Sequence, residues 1–172
     1  MQDPLVVKVG NKDHTLEAAE DSVRKSGGWF YWIAGLSLAN TAAIQTGLGY
    51  GMIIGLGVTQ IVDAVAYEII SGDPSVRTVA LASSVLFSVL VSGMFVFFGV
   101  FARKAQLWAF VSGIVLYALD SLVFLVSRDW LALGFHVFVL VSLFGGITWS
   151  RAIRKARQAA IHSGDANIPI EP

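Results

Sequence analysis

RTVALASSVLFSVLVSGMFVFFGVFARKAQLWAFVSGIVLYALDSLVFLVSRDW, residues 77–130, holds two long apolar runs parted only by Arg103-Lys104. Each run is close to the ~20 residues an α-helix needs to cross ~30 Å of hydrocarbon. Neither run has the period-two alternation of a membrane barrel strand. The same pattern continues on both sides, where glycine, proline and paired charges act as breaks. Working outward gives helical spans at about 28–46, 51–70, 77–101, 107–127 and 130–150. The breaks are Gly47-Leu48-Gly49-Tyr50-Gly51, Ser71-Gly72-Asp73-Pro74, Arg103-Lys104 and Arg128-Asp129. The expected architecture is an all-α integral membrane bundle of five transmembrane helices with short connections.

Composition supports a lipid environment. The 172 residues are 55% hydrophobic and 14% charged, with a mean hydropathy of +0.69. A soluble domain carries about 25% charged residues. Twelve basic residues balance twelve acidic ones, so no basic field points to nucleic acid. The chain has no cysteine, which excludes disulfides and thiolate metal sites. All five tryptophans, Trp29, Trp32, Trp108, Trp130 and Trp149, fall near proposed span ends. Indole favours that depth because its ring is half buried while its N–H meets water.

The flanks are polar. Residues 1–27 read as a mixed-charge tail, with a short surface helix at 14–25. The domain of spans covers 28–150, and 151–172 form a basic continuation of the last helix and a tail. Arg151, Arg154, Lys155 and Arg157 in that continuation are candidates for anionic lipid headgroups. With five spans each side of the membrane receives six basic residues. Lys8 and Lys12 lie furthest from a span, so the C-terminus is assigned to the cytoplasm and the N-terminus to the outside. An alternative makes the glycine-flanked first hairpin re-entrant and keeps both ends inside.

The candidate chemistry is intramembrane. Asp63, Asp120 and His136 lie well inside spans. An ionised Asp facing lipid at a helix centre costs about 2.5–3.5 kcal/mol, so these side chains are expected to face the bundle interior. At 1.5 Å per residue, Asp63, Ser84, Asp120 and His136 all fall roughly 10 Å below one surface. Asn40 and Gln60 lie a turn deeper. Tyr67 shares the stripe of Gln60 and Asp63, and Tyr117 that of Asp120. Ser84, Ser88 and Ser92 repeat at four-residue spacing, as do Gly47, Gly51 and Gly55. Such small-residue faces suit helix contact within the chain, in a homo-oligomer or with a partner in a membrane complex.

The expected function is an ion- or proton-coupled transporter or channel component built on that Asp/His/Ser layer. One alternative is a non-catalytic structural or accessory subunit. Another is an intramembrane enzyme acting on lipid or peptide, for which Ser84, His136 and Asp120 hold the pieces without a nucleophile turn. No cofactor or metal is expected, since His136 alone supplies one ligand where a site wants three or four.

Overall fold

In a computed structural model of the chain, residues 5–46 and 55–162 are described. They form an N-terminal hairpin of β1 (Val6–Val9) and β2 (Lys12–Thr15), followed by five α-helices. These are α1 (Leu16–Gln45), α2 (Gly57–Gly72), α3 (Arg77–Ala102), α4 (Leu107–Ser127) and α5 (Trp130–His162). A 3-10 turn over Pro74–Val76 joins α2 to α3.

Among the described residues, three helices are long and apolar enough to cross a membrane: Pro74–Ala102 (with the 3-10 turn), Leu107–Ser127 and Trp130–His162. Their outward faces expose Leu86, Leu90, Leu119, Val126, Leu131 and Val141, as lipid contact requires. The expectation of five crossing helices is met in length and apolarity by these three. Helix α1 has 30 residues, but its first turns are charged and its last ones carry Asn40, Thr41 and Gln45. Helix α2 has 16 residues, about 24 Å at 1.5 Å per residue and short of a bilayer core.

The helix ends have local causes. Thr15 caps α1 by accepting the Ala18 N–H at 3.2 Å. Arg128 closes α4 in the left-handed conformation, φ 58°. Asp129 then accepts the Ala132 N–H at 3.0 Å and starts α5. At the α2–α3 turn the exposed Asp73 carboxylate accepts the Ser75 N–H at 2.9 Å. Hydrogen bonds from the Ser75 side chain and backbone hold its pKa below the usual carboxylate value. That cap is in place at neutral pH and is lost as pH falls through the lowered value.

Residues 6–15 depart from the expected tail. Val6 and Val9 pair with Thr15 and Lys12 across a turn at Gly10, whose φ of +60° suits glycine. Val7 is fully buried and joins the core, and His14 meets the Trp149 ring edge-on at 4.8 Å. The surface helix expected at 14–25 is the start of α1, continuous with the apolar half. Glu20 near the start of α1 bonds Arg157 near the end of α5 at 2.8 Å. The start of α1 and the end of α5 therefore sit at one end of the bundle. Helix α5 runs past residue 150 as expected, out to His162.

The core centres on Phe30 of α1, ringed by Phe95, Phe98 and Phe110 at 6.1–6.2 Å between centroids. Helices approach closely beside these rings through Gly113 and Gly146. A methyl group at either would stand 2.4 Å from Phe30 or 2.3 Å from Phe110. Of the expected Gly47, Gly51, Gly55 contact stripe, one member is described. Gly55 lies in a bend before α2, and Gly47 and Gly51 fall outside the described residues.

Candidate functional site

The start of α2 is buried inside the bundle, where its free N–H groups have no water to meet. Its N-cap is Leu56, which has no side-chain acceptor. Asp120 of α4 takes that role, with Oδ2 accepting the Gly57 N–H at 2.8 Å and Oδ1 the Val58 N–H at 2.9 Å. Ser37 of α1 accepts the Leu56 N–H at 2.9 Å. Glycine at 57 permits the approach, since a Cβ there would lie 2.8 Å from Val123 of α4.

His136 of α5 completes this group. Its Nδ1 lies 2.8 Å from the Ala132 carbonyl oxygen and its Nε2 3.2 Å from Asp120 Oδ2. A carbonyl only accepts, so Nδ1 carries hydrogen. The bond to Asp120 then needs one further proton held between the ring and the carboxyl. Tyr117 stacks on the imidazole at 4.4 Å, and Phe124 flanks it at 4.6 Å. Every polar atom of this pair has a partner.

Asp63 lies in the second turn of α2, six residues or about 9 Å beyond Gly57. It is 2% exposed. Its carboxylate accepts the Thr41 hydroxyl of α1 at 2.9 Å and the Ser84 hydroxyl of α3. Ser88 Oγ lies 2.9 Å from Thr41 Oγ1. Thr41 has one proton, so while it donates to Asp63 the Ser88 hydroxyl donates to Thr41. The Gln45 amide donates to Ser84 at 3.3 Å. No ion pair reaches Asp63 among the described residues.

A cavity of about 140 Å³ has Asp63 and Ser84 in its lining. Gln45, Tyr67 and Arg77 line it too. Tyr67 (68% exposed) and Arg77 mark the outer end, beside the α2–α3 turn.

The structure thus brings Asp63 to Ser84 and Asp120 to His136, but no hydrogen bond joins the two pairs. The expected layer therefore comprises two separate hydrogen-bonded groups, both of which include residues of α2. Asn40 is buried with both amide atoms unpartnered, and Gln60 Nε2 is also buried and unpartnered. Asn40 Cβ lies 3.5 Å from where a Gly55 methyl would stand, so it faces the approach to α2. Arg151, Arg154 and Lys155 are exposed, and Arg157 is half-buried against Glu20. No group of His, Asp and Glu suited to a metal occurs among the described residues.

Gln45 is an addition to the polar side chains of α1, and it was readable. Ser37, Thr41 and Gln45 repeat at four-residue spacing and form a polar stripe on α1. The role of Ser37 at the start of α2 had no such signal.

Fold and site define a helical bundle with three helices of membrane-crossing length and apolarity, threaded by two buried carboxylate groups. The chain matches no protein-family model, and no curated protein or solved structure is significantly similar to it.

Proposed function

We propose that this chain is a multi-pass membrane protein that binds and passes a proton at Asp63, as a transporter or channel component. One observation carries the reading: Asp63 is ringed by hydroxyls at the inner end of a cavity, with no cation paired to it. A hydroxyl both donates and accepts. Thr41 and Ser84 therefore serve a carboxylate by donating, and a carboxylic acid when one of them accepts. Either protonation state is satisfied without moving a helix. Asp120 differs, because backbone N–H groups only donate and suit the carboxylate alone.

The charge distribution supports a topology with both termini in the cytoplasm and α2 as a half-helix. Lys8, Lys12, Arg24, Lys25, Arg103, Lys104, Arg151, Arg154, Lys155 and Arg157 belong to the end where α1 begins and α5 finishes. Arg77 and Arg128 are the two basic residues at the opposite turns. A balance of six to six under five crossings becomes ten to two, which is the positive-inside pattern. This revises the outside assignment of the N-terminus. Cysteine labelling of intact spheroplasts at positions 11 and 74 tests it. Position 74 is expected to react with an impermeant reagent and position 11 to be protected.

The proton reading is tested in reconstituted vesicles with an internal pH dye. Wild type is expected to carry protons under an imposed potential, and Asp63→Asn to fall to the leak of empty vesicles. The amide in that variant still bonds both hydroxyls, so its melting temperature in detergent should stay within about 3 °C of wild type. Wild-type flux in Asp63→Asn, or no flux in wild type, would remove this reading. The accessory-subunit alternative draws on the Asp120–His136 pair, whose polar atoms are all committed to holding the fold. It predicts co-purification with a fixed partner and no flux from the isolated chain.

A further inference from the structure

A second cavity, of about 160 Å³, lies at the opposite end of the bundle from the outer end of the Asp63 cavity. Three separate elements build it: Glu20 and Arg24 from α1, Arg103 and Lys104 from the α3–α4 turn, and Arg157 from α5. Four cations against one carboxylate leave a formal charge of +3, in a chain whose net charge is zero. Glu20 is already engaged, by Arg157 at 2.8 Å and Arg24 at 3.8 Å. Arg157 Nε is buried and has no partner. The Arg103 guanidinium stands 5.7 Å above the Tyr31 ring, which holds it in place without neutralising it. Lys104 has no ion pair among the described residues.

The depth of this cavity is set by its neighbours. Arg103 and Lys104 join α3 to α4, two helices of membrane-crossing length and apolarity. A turn between two such helices comes out where hydrocarbon gives way to headgroups. The concave cluster of guanidinium and ammonium groups there suits a compact, multiply charged oxyanion, to which Arg offers forked donors and Lys a point charge.

We infer that the cavity of Arg24, Arg103, Lys104 and Arg157 binds a phosphate group, carried by an anionic phospholipid headgroup or by free phosphate. The site is distinct from the outward-facing Arg151, Arg154 and Lys155, and it does not depend on the proton reading of Asp63.

The test uses the full chain in neutral-detergent micelles, with phosphatidic acid, phosphatidylcholine and inorganic phosphate as separate probes. Retained lipid is counted by native mass spectrometry, and phosphate binding is measured by calorimetry. Wild type is expected to keep one phosphatidic acid in preference to phosphatidylcholine, or to bind inorganic phosphate, and the two arms identify the source. Arg103→Gln with Lys104→Gln should weaken binding about thirtyfold, at roughly 1 kcal/mol per basic residue. Both residues are exposed, so that variant should fold. Arg151→Gln with Arg154→Gln and Lys155→Gln should change binding less than twofold. Glu20→Gln separates a binding site from a merely structural cluster. Releasing Arg157 and Arg24 should tighten phosphate binding several-fold, whereas a structural role predicts no gain. Equal binding by wild type and the Arg103/Lys104 variant, or no preference for either phosphate probe over phosphatidylcholine, overturns the inference.

Discussion

Asp120→Ala is expected to remove about 4 kcal/mol of stability, because it leaves two buried N–H groups and a buried imidazole without their acceptor. Each orphaned group costs roughly 1–3 kcal/mol, and domains have only about 5–15 kcal/mol to lose. The groups affected are Gly57 N–H, Val58 N–H and His136 Nε2. Alanine brings no acceptor to replace the carboxylate. Asp120→Asn should cost about half as much, since an amide has one acceptor oxygen and its NH₂ must face the other N–H.

Asp63 is expected to behave differently. Hydroxyl neighbours can reverse direction around an amide, so Asp63→Asn should leave stability almost unchanged, and under the proposed function it ends proton movement. Thermal unfolding in detergent, followed by tryptophan fluorescence or by proteolysis of α2, checks both variants. Equal stability of Asp120→Ala and wild type would mean that α2 does not depend on this cap. A large loss in Asp63→Asn would mean that the hydroxyl ring is rigid, and the two-state argument for the proton would fail with it.

Gly113→Ala is expected to destabilise by about 2 kcal/mol net. Overpacking a filled core costs about 1–3 kcal/mol or more, against a gain near 1 kcal/mol in helix propensity. The overlap decides the sign. The new methyl would sit 2.4 Å from two Phe30 ring carbons, and Phe30 cannot swing away because Phe95, Phe98 and Phe110 surround it. Gly146→Ala, at 2.3 Å from Phe110 and 2.9 Å from Ser26, should behave alike. Gly93 and Gly134 provide the internal control. A methyl there meets nothing within 4 Å, so alanine at either should be neutral or slightly stabilising. Pairing Gly113→Ala with Phe30→Leu should recover part of the loss. Melting temperatures of the four single variants and this double variant decide the matter, and a stable Gly113→Ala alone would show that the helices can slide apart.

Much of this was legible along the chain, and the exceptions share a cause. The expected spans at 77–101 and 107–127 agree with α3 and α4 almost residue for residue, and α5 begins at Trp130 as expected. Apolar runs bounded by charge are local signals, so no tertiary knowledge was needed. The hairpin was also locally encoded, by Val6-Val7-Lys8-Val9, Gly10-Asn11 and the strand after it, but four-residue strands are weak signals beside a polar tail. The polar first half of α1 was legible as a short helix at 14–25, but nothing local showed that it would run unbroken into the apolar half. It does so because Val23 packs into the core and Glu20 is held by α5.

The amino-acid order alone determined that these helices form, where three of them stop, and that Asp63, Asp120 and His136 must turn inward, since each follows from hydrophobicity and the cost of burying charge. Only the tertiary structure decided that α2 starts at Gly57 in the middle of the bundle, because its cap is a carboxylate 63 residues away in sequence. The same fact divided one supposed polar layer into a pair that holds the fold and a carboxylate ringed by hydroxyls. A helix start satisfied by its own neighbours can be read locally, whereas one satisfied across the bundle exists only once the other helices are in place.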